Sequence, residues 1–136
     1  MKIAFSKNPK ADAKVIDGLL EKYNLKFAPK DKHKEFVVVL KDGDKIVGGL
    51  VGGTYWEWMY VKTLIVSEKL RGGAYGSKMM EMAEDYAKKK GMKYVHLETH
   101  SFQAPGFYKK LGYKQFAKYE HHPGEHIRYS MFKELK

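Results

Sequence analysis

The sequence predicts a mixed α/β domain built around one central sheet. Three observations carry that reading. Apolar residues recur at helical spacing in two long segments. Runs of β-branched and aromatic residues, bounded by glycine and proline, stand between and after them. The chain has 136 residues, 43% hydrophobic and 14% aromatic, which suits one domain, 1–136, with a real core. The predicted order is β-α-β-β-β-α-β-α-β-β, with no internal repeat, low-complexity tract or linker.

Met1 to Phe5 reads as a short edge strand. Asn8 and Pro9 read as a helix start, asparagine as N-cap and proline in the first turn. Val15, Ile16, Leu19, Leu20 and Tyr23 then recur at helical spacing until about Asn24. Gly18 inside that helix costs on the order of 1 kcal/mol relative to alanine. Lys26 to Lys34, with Pro29, reads as loop. Glu35 to Leu40 is a strand, Asp42-Gly43 a hairpin turn, and Ile46 to Thr54 a second strand weakened by Gly48, Gly49, Gly52 and Gly53. Trp56 to Val66 is a long third strand. A basic, glycine-rich turn follows, Arg71 to Gly76. From Ala74 to Lys90 the period is helical, with Tyr75, Met79, Met82, Ala83 and Tyr86 on one face. Lys88, Lys89 and Lys90 suit its C-terminal dipole, and Gly91 closes it. Lys93 to Thr99 is a strand and Gln103 to Leu111 a short helix stopped by Gly112. Tyr113 to Tyr119 and His126 to Lys133 are final strands, joined through Pro123-Gly124.

Composition excludes several classes. There is no cysteine, so no disulfide scaffold, thiolate zinc site or thiol nucleophile. No apolar run approaches the roughly 20 residues that span a bilayer. The N-terminus breaks too early for a signal peptide, so a cytoplasmic protein is expected. The balance of 26 basic and 16 acidic residues, net +10, favours anionic partners. Nearly all the cations are lysines, with only Arg71 and Arg128 as arginines. Nucleic-acid readers lean on arginine for bidentate contacts, so the charge reads as a solvated surface. His121, His122 and His126, with Glu120 and Glu125, fit no ligand spacing, and no metal is expected.

The informative segment is the strand–turn–helix from Met59 to Lys90. A glycine turn that opens a helix presents unpaired N–H groups at the positive end of the helix dipole, a combination that binds phosphate. The same turn could equally just close a strand–helix corner. Gly76-Ser77-Lys78 has the wrong order for a Walker loop, and Gly72-Gly73-Ala74-Tyr75-Gly76 lacks the Gly-x-Gly-x-x-Gly spacing.

Arg71-Gly72-Gly73-Ala74-Tyr75-Gly76 resembles the Gln/Arg-x-x-Gly-x-Gly/Ala motif of the GNAT family of N-acetyltransferases. Leu64-Ile65-Val66, just upstream, is similar to the end of that family's splayed central strand. Downstream, Gln103-Ala-Pro-Gly-Phe-Tyr108-Lys-Lys-Leu-Gly112-Tyr113 resembles its second signature. The resemblance covers roughly Lys34 to Lys133. It implies a mostly antiparallel sheet splayed between two strands and flanked by helices. It also implies acetyl-CoA as co-substrate. The pyrophosphate would lie on Arg71, Gly72, Gly73, Ala74, Tyr75, Gly76 and Ser77, and the pantetheine arm along Leu64, Ile65 and Val66. A strand N–H near Ile65 would polarise the thioester carbonyl. Two positions depart from the family pattern. Ala74 replaces a glycine; alanine keeps the N–H donor but restricts the backbone, so the phosphate loop is expected only with φ below zero there. Ser101 stands where the family often has a cofactor-contacting asparagine, a contact that falls to Ser101 or Gln103.

The resemblance implies transfer of acetyl directly to a primary amine of a small molecule or peptide. The amine must shed a proton, and Glu57, Glu98 and His100 are candidate bases by position. Tyr108 stands where the family often has a tyrosine that protonates the leaving thiolate. Full transfer from an ordinary phenol to a thiolate is uphill by roughly 2 kcal/mol, so a hydrogen bond is the expectation. Tyr55, Trp56, Trp58 and Tyr60 could line the acceptor pocket or simply pack, with Trp56, Trp58 and Tyr60 on one face by alternation. Two other functions stay in view. One is acetylation of a macromolecule such as aminoacyl-tRNA. The other is a non-catalytic nucleic-acid-binding domain. The family's habit of pairing adds a homodimer to the expectations.

Overall fold

The computed structural model describes residues 1–136, in two compact units, Met1–Asp31 and Lys32–Lys136. In the first unit the helix α1 (Pro9–Asn24) starts and ends where its sequence signals place it. Pro9 sits in the first turn, where its missing N–H costs nothing. Asn8 makes no side-chain cap. Instead the Ser6 hydroxyl accepts the Asn8 N–H at 2.9 Å and donates to the Asp12 carboxylate. After the helix the chain turns through Leu25–Phe27, and the Phe27 ring packs on Tyr23 with centroids 5.3 Å apart. Met1 to Phe5, expected as a strand, is not one. Extended backbone becomes a strand only by hydrogen-bonding to a neighbour, and this segment forms no ladder.

The second unit is built on a six-stranded mixed sheet. Its strands are β1 (Lys34–Asp42), β2 (Lys45–Tyr55), β3 (Trp58–Val66), β4 (Tyr94–His100), β5 (Lys114–Tyr119) and β6 (Arg128–Glu134). Their order is β1-β2-β3-β4-β6-β5, antiparallel except for the β3–β4 pair. The helices are α2 (Tyr75–Lys89) and α3 (Pro105–Lys110). No helix is long and apolar enough to cross a membrane.

The glycines of β2, expected to weaken it, have a packing reason. A Cβ on Gly53 would sit 2.4 Å from the Tyr60 hydroxyl, and one on Gly52 3.0 Å from the Phe36 ring. The bare backbone lets these rings lie across the strand, so β2 runs eleven residues through the sheet.

One face of the sheet holds the core. Leu50, Met59, Val61, Val95, Leu97 and Met131 are buried with Met79, Met80, Ala83 and Ala87 of α2. Each large side chain so buried contributes about 1.5–3 kcal/mol. Phe36 of β1 reaches Tyr86 of α2, ring centroids 4.8 Å apart. Toward the other edge of the sheet Lys133 of β6, between β4 and β5, places its Nζ 2.6 Å from Glu84 of α2, whose carboxylate is otherwise enclosed.

Two breaks in register shape the site. Val51 of β2 pairs with Thr63 and Gly52 with Val61, so Lys62 is an extra residue on β3, a β-bulge. The parallel pairing of β3 with β4 starts at Trp58↔Tyr94 and stops at Val61↔Leu97. Beyond it β3 stays with β2, while β4 stays with β6 as far as His100↔Arg128. The sheet forks there.

Tyr108 of α3 and Tyr113 are buried edge-to-face, 5.9 Å between centroids. Burial pushes the Tyr108 hydroxyl up to about 12 from 10.0. Tyr113 is pushed up as well, by burial first and then by the Glu84 carboxylate. The unfolded chain ionises these phenols first, so stability is intact below pH 10 and is lost as pH rises toward 12. Tyr108 alone accounts for about 3 kcal/mol of that loss. Urea titrations at rising pH should show this fall, and Tyr108→Phe should flatten it.

Candidate active site

The site is assembled at the C-terminal end of β3. After Val66 a single 3-10 turn, Glu68–Leu70, reverses the chain, with the Ser67 N–H bonded to the Val47 carbonyl at 2.9 Å. Arg71 then folds back, and its Nε donates to the Val66 carbonyl at 3.2 Å. This bond ties the loop to the strand it has just left. Gly72 lies at φ +87°, a conformation that a glycine adopts freely.

Ala74 lies at φ +63°, in the left-handed region, where φ below zero was expected. The reason is geometric. The loop must turn into α2 within a few residues, and the left-handed step at the N-cap makes that turn whichever side chain is present. For alanine the step costs roughly 1 kcal/mol.

The first backbone bond of α2 runs from the Lys78 N–H to the Ala74 carbonyl at 3.1 Å. The N–H groups of Tyr75, Gly76 and Ser77 therefore have no acceptor within the helix. No acidic residue stands in that first turn to compete for them. Gly76 also meets α3, since a Cβ there would come within 3.3 Å of the Phe107 ring. The glycine loop and the Phe107-Tyr108 segment, far apart in the chain, touch at this point.

These elements enclose a cavity of about 770 Å³ that opens into the fork. Its walls are β3 from Val61 to Val66, the loop and helix start, the end of β4 at Glu98 and Thr99, and the segment from Phe102 to Tyr108. Of the residues selected from the sequence, Leu64, Ile65, Val66, Arg71, Gly72, Ala74, Tyr75, Gly76, Ser77, Glu98, Gln103 and Tyr108 line it together.

Four others lie elsewhere. Gly73 turns away, its N–H bonded to the Leu70 carbonyl at 3.4 Å. Ser101 is used structurally: its Oγ accepts the Ile127 N–H at 3.1 Å and its own N–H reaches the Ile127 carbonyl at 2.8 Å. Glu57 sits in the β2–β3 turn, before β3 begins and at the opposite end of that strand from the fork, with its carboxylate 2.7 Å from Lys93. It does not line the cavity. His100 does not line the cavity either. Its ring meets Gln103 Oε1 at 3.1 Å and His122 Nδ1 at 3.3 Å.

Glu98 faces the cavity, but its charge is shared with Arg128. Nη2 donates to Oε1 at 3.0 Å, and Nε lies 2.8 Å from Oε2. Gln103 keeps its side-chain oxygen on the His100 N–H at 2.8 Å, which leaves its amide nitrogen as the donor on offer.

The aromatic cluster stands apart from the cavity. Trp56 is in the turn at φ +47° rather than on β3, so it does not share a face with Trp58 and Tyr60. Trp58 stacks near Tyr94 at 4.8 Å, and the Tyr55 hydroxyl bonds His96 Nε2 at 2.6 Å. Burial pushes the His96 imidazole below its ordinary value. Sequence reading missed Lys62, Thr63 and Phe102 as cavity residues, since none lies on a motif and a bulge leaves no sequence mark.

A helix start with free N–H groups and no acid, a guanidinium tied beside it and a strand with one open edge form a corner whose chemistry suits an extended anionic ligand. Comparison with known proteins narrows that class. Residues 7–113 match the model of the acetyltransferase (GNAT) family, and the chain belongs to that family of acetyltransferases. It is 37% identical over 92 residues to blasticidin-S acetyltransferase of Streptomyces morookaense, covering 67% of this chain and 68% of that one. The crystal structure of an acetyltransferase from Bacillus cereus superposes with a TM-score of 0.92 at 32% identity, covering 99% of this chain and 98% of that one. An aminoglycoside 6'-N-acetyltransferase complexed with coenzyme A shares the fold, with TM-score 0.67 at 18% identity over 100% of this chain and 98% of that one.

The left-handed alanine makes a prediction. Ala74→Gly should raise stability by about 0.5–1 kcal/mol, while Ala74→Val should lower it by more than 1 kcal/mol, as roughly expected for a branched side chain at positive φ. Urea midpoints with unchanged m-values would measure both.

Proposed function

We propose that the chain transfers acetyl from acetyl-CoA directly to a primary amine of a small molecule, in a cytoplasmic setting. The observation that carries this is the start of α2: three N–H groups without intrahelical acceptors, Arg71 beside them, no acid in the turn, all facing one cavity. The diphosphate of coenzyme A matches that donor set. The open edge of β3 from Lys62 to Val66 offers backbone donors and acceptors to the amides of a pantetheine arm, as an added strand would use them. A cavity of about 770 Å³ has room for such a ligand. The aminoglycoside enzyme solved with coenzyme A has the same fold, which agrees with this placement. The relative named for blasticidin S supports a small-molecule acceptor.

The chain's own groups divide the work. The thioester supplies an activated acyl group. The backbone of β3 aims it into the fork. Tyr108, buried beside Phe107, holds its proton up to about 12, some 3.5 units above an ordinary thiol. Handing over that proton would be uphill by about 5 kcal/mol, so Tyr108 stays protonated and donates a hydrogen bond to the leaving sulfur. No cysteine is present to form an acyl-enzyme, which suits direct transfer. Glu98 is the acid on the acceptor side, its carboxylate paired with Arg128 at the cavity wall.

Acetyl-CoA should raise the melting temperature, and an amine panel followed by free-thiol release should reveal turnover. Tyr108→Phe should lower kcat about 10–100-fold while the dissociation constant for acetyl-CoA changes less than about threefold. Arg71→Glu should do the reverse, weakening acetyl-CoA binding about tenfold or more. A Tyr108→Phe protein with wild-type kcat would remove the leaving-group role.

A further inference from the structure

One of the residues that line the cavity carries an amine. Lys62 is the one lysine among its lining residues. It is also the extra residue of the β3 bulge, directly after Val61, where pairing with β4 ends. It therefore stands at the root of the fork. Its side chain is exposed and takes no part in any ion pair or hydrogen bond, in contrast to Lys93, Lys118 and Lys133. The acid on the β4 side of the fork, Glu98, is engaged by Arg128 and does not hold it.

We infer that Lys62 is an internal acceptor: with acetyl-CoA bound and no external amine present, the chain acetylates its own Lys62 Nζ. This rests on the acetyl-CoA reading above. Lys62 Nζ first gives a proton to water. Its lone pair then forms the C–N bond at the thioester carbonyl carbon, and the adduct's nitrogen loses a second proton. The C–S bond breaks, sulfur leaves with the electron pair, takes up one proton and departs as the free thiol of coenzyme A. One proton is released overall, nothing is oxidised or reduced, and no further reactant is needed. The advantage of Lys62 over the other lysines is proximity, since a flexible amine rooted in the cavity wall reaches the thioester at an effective concentration that distant surface amines do not.

The test uses the full chain and acetyl-CoA in an amine-free buffer. Thiol release should stop near one equivalent per chain, and intact mass should rise by one acetyl group. Peptide mapping should find at least about tenfold more acetyl on Lys62 than on the exposed Lys45 and Lys114. Lys62→Arg keeps the charge and removes the nucleophile. It should abolish the thiol burst while acetyl-CoA still raises the melting temperature. In Arg71→Glu, acetylation of Lys62 should fall to the level of Lys45, as a reaction inside the cavity requires. If acetyl-CoA stabilises the protein but Lys62 is modified no faster than Lys45 and Lys114, or if the burst survives Lys62→Arg, the inference is overturned and the acetyl-CoA reading stands. If acetyl-CoA produces no stabilisation, both are overturned.

Discussion

Beyond Val61 the backbone of β3 has a hydrogen-bonding partner on one side only. β2 remains bound along the whole strand, while β4 departs with β6. The extra residue at Lys62 changes the strand's twist and ends the parallel ladder, as bulges do beside binding sites. Unpaired strand groups in an interior would be costly, and here they face a cavity instead. The fork gives the site an opening through the sheet, an edge on which an extended ligand can lie, and a fixed distance to the loop that follows. Without the break, β3 and β4 would zip together and α2 would start against a closed wall.

The anion-binding corner is rigid because it is tied at several points. Arg71 is bonded to the Val66 carbonyl, Ser67 to Val47, and Gly76 lies against Phe107. These ties hold Ala74 in a conformation that alanine disfavours by roughly 1 kcal/mol, a strain the rest of the loop over-determines. The same contact between Gly76 and Phe107 sets Tyr108 at the cavity wall, so the amides that open α2 and the Tyr108 side chain share one mechanical frame.

Much of this was legible in the sequence, for stated reasons. Pro9 marked the start of α1 because proline acts locally, even though Asn8 makes no side-chain cap, and Gly91 marked the end of α2 for the same reason. The turn that opens α2 was legible because its glycines act locally. What escaped depends on partners distant in the chain. Met1–Phe5 has strand-like alternation but no ladder. The β2 glycines read as weakness until the Phe36 and Tyr60 rings are placed over them. Glu57 and Glu98 looked equivalent as strand-flanking acids, and only the direction of β3 separates the end near Lys93 from the end at the fork. Ala74 failed the opposite way: the residue type argued for negative φ, and the loop's closure overrode it.

The central claim is that the backbone amides opening α2 receive the diphosphate of coenzyme A. Amide chemical shifts recorded during titration of the ¹⁵N-labelled protein with coenzyme A test it most directly. The account predicts the largest changes at Tyr75, Gly76 and Ser77, with Gly72 and Arg71 close behind, and smaller ones along Leu64–Val66. Changes centred on β5, or on the Tyr55–His96 cluster, with the amides of Tyr75 to Ser77 unmoved at saturation, would contradict it.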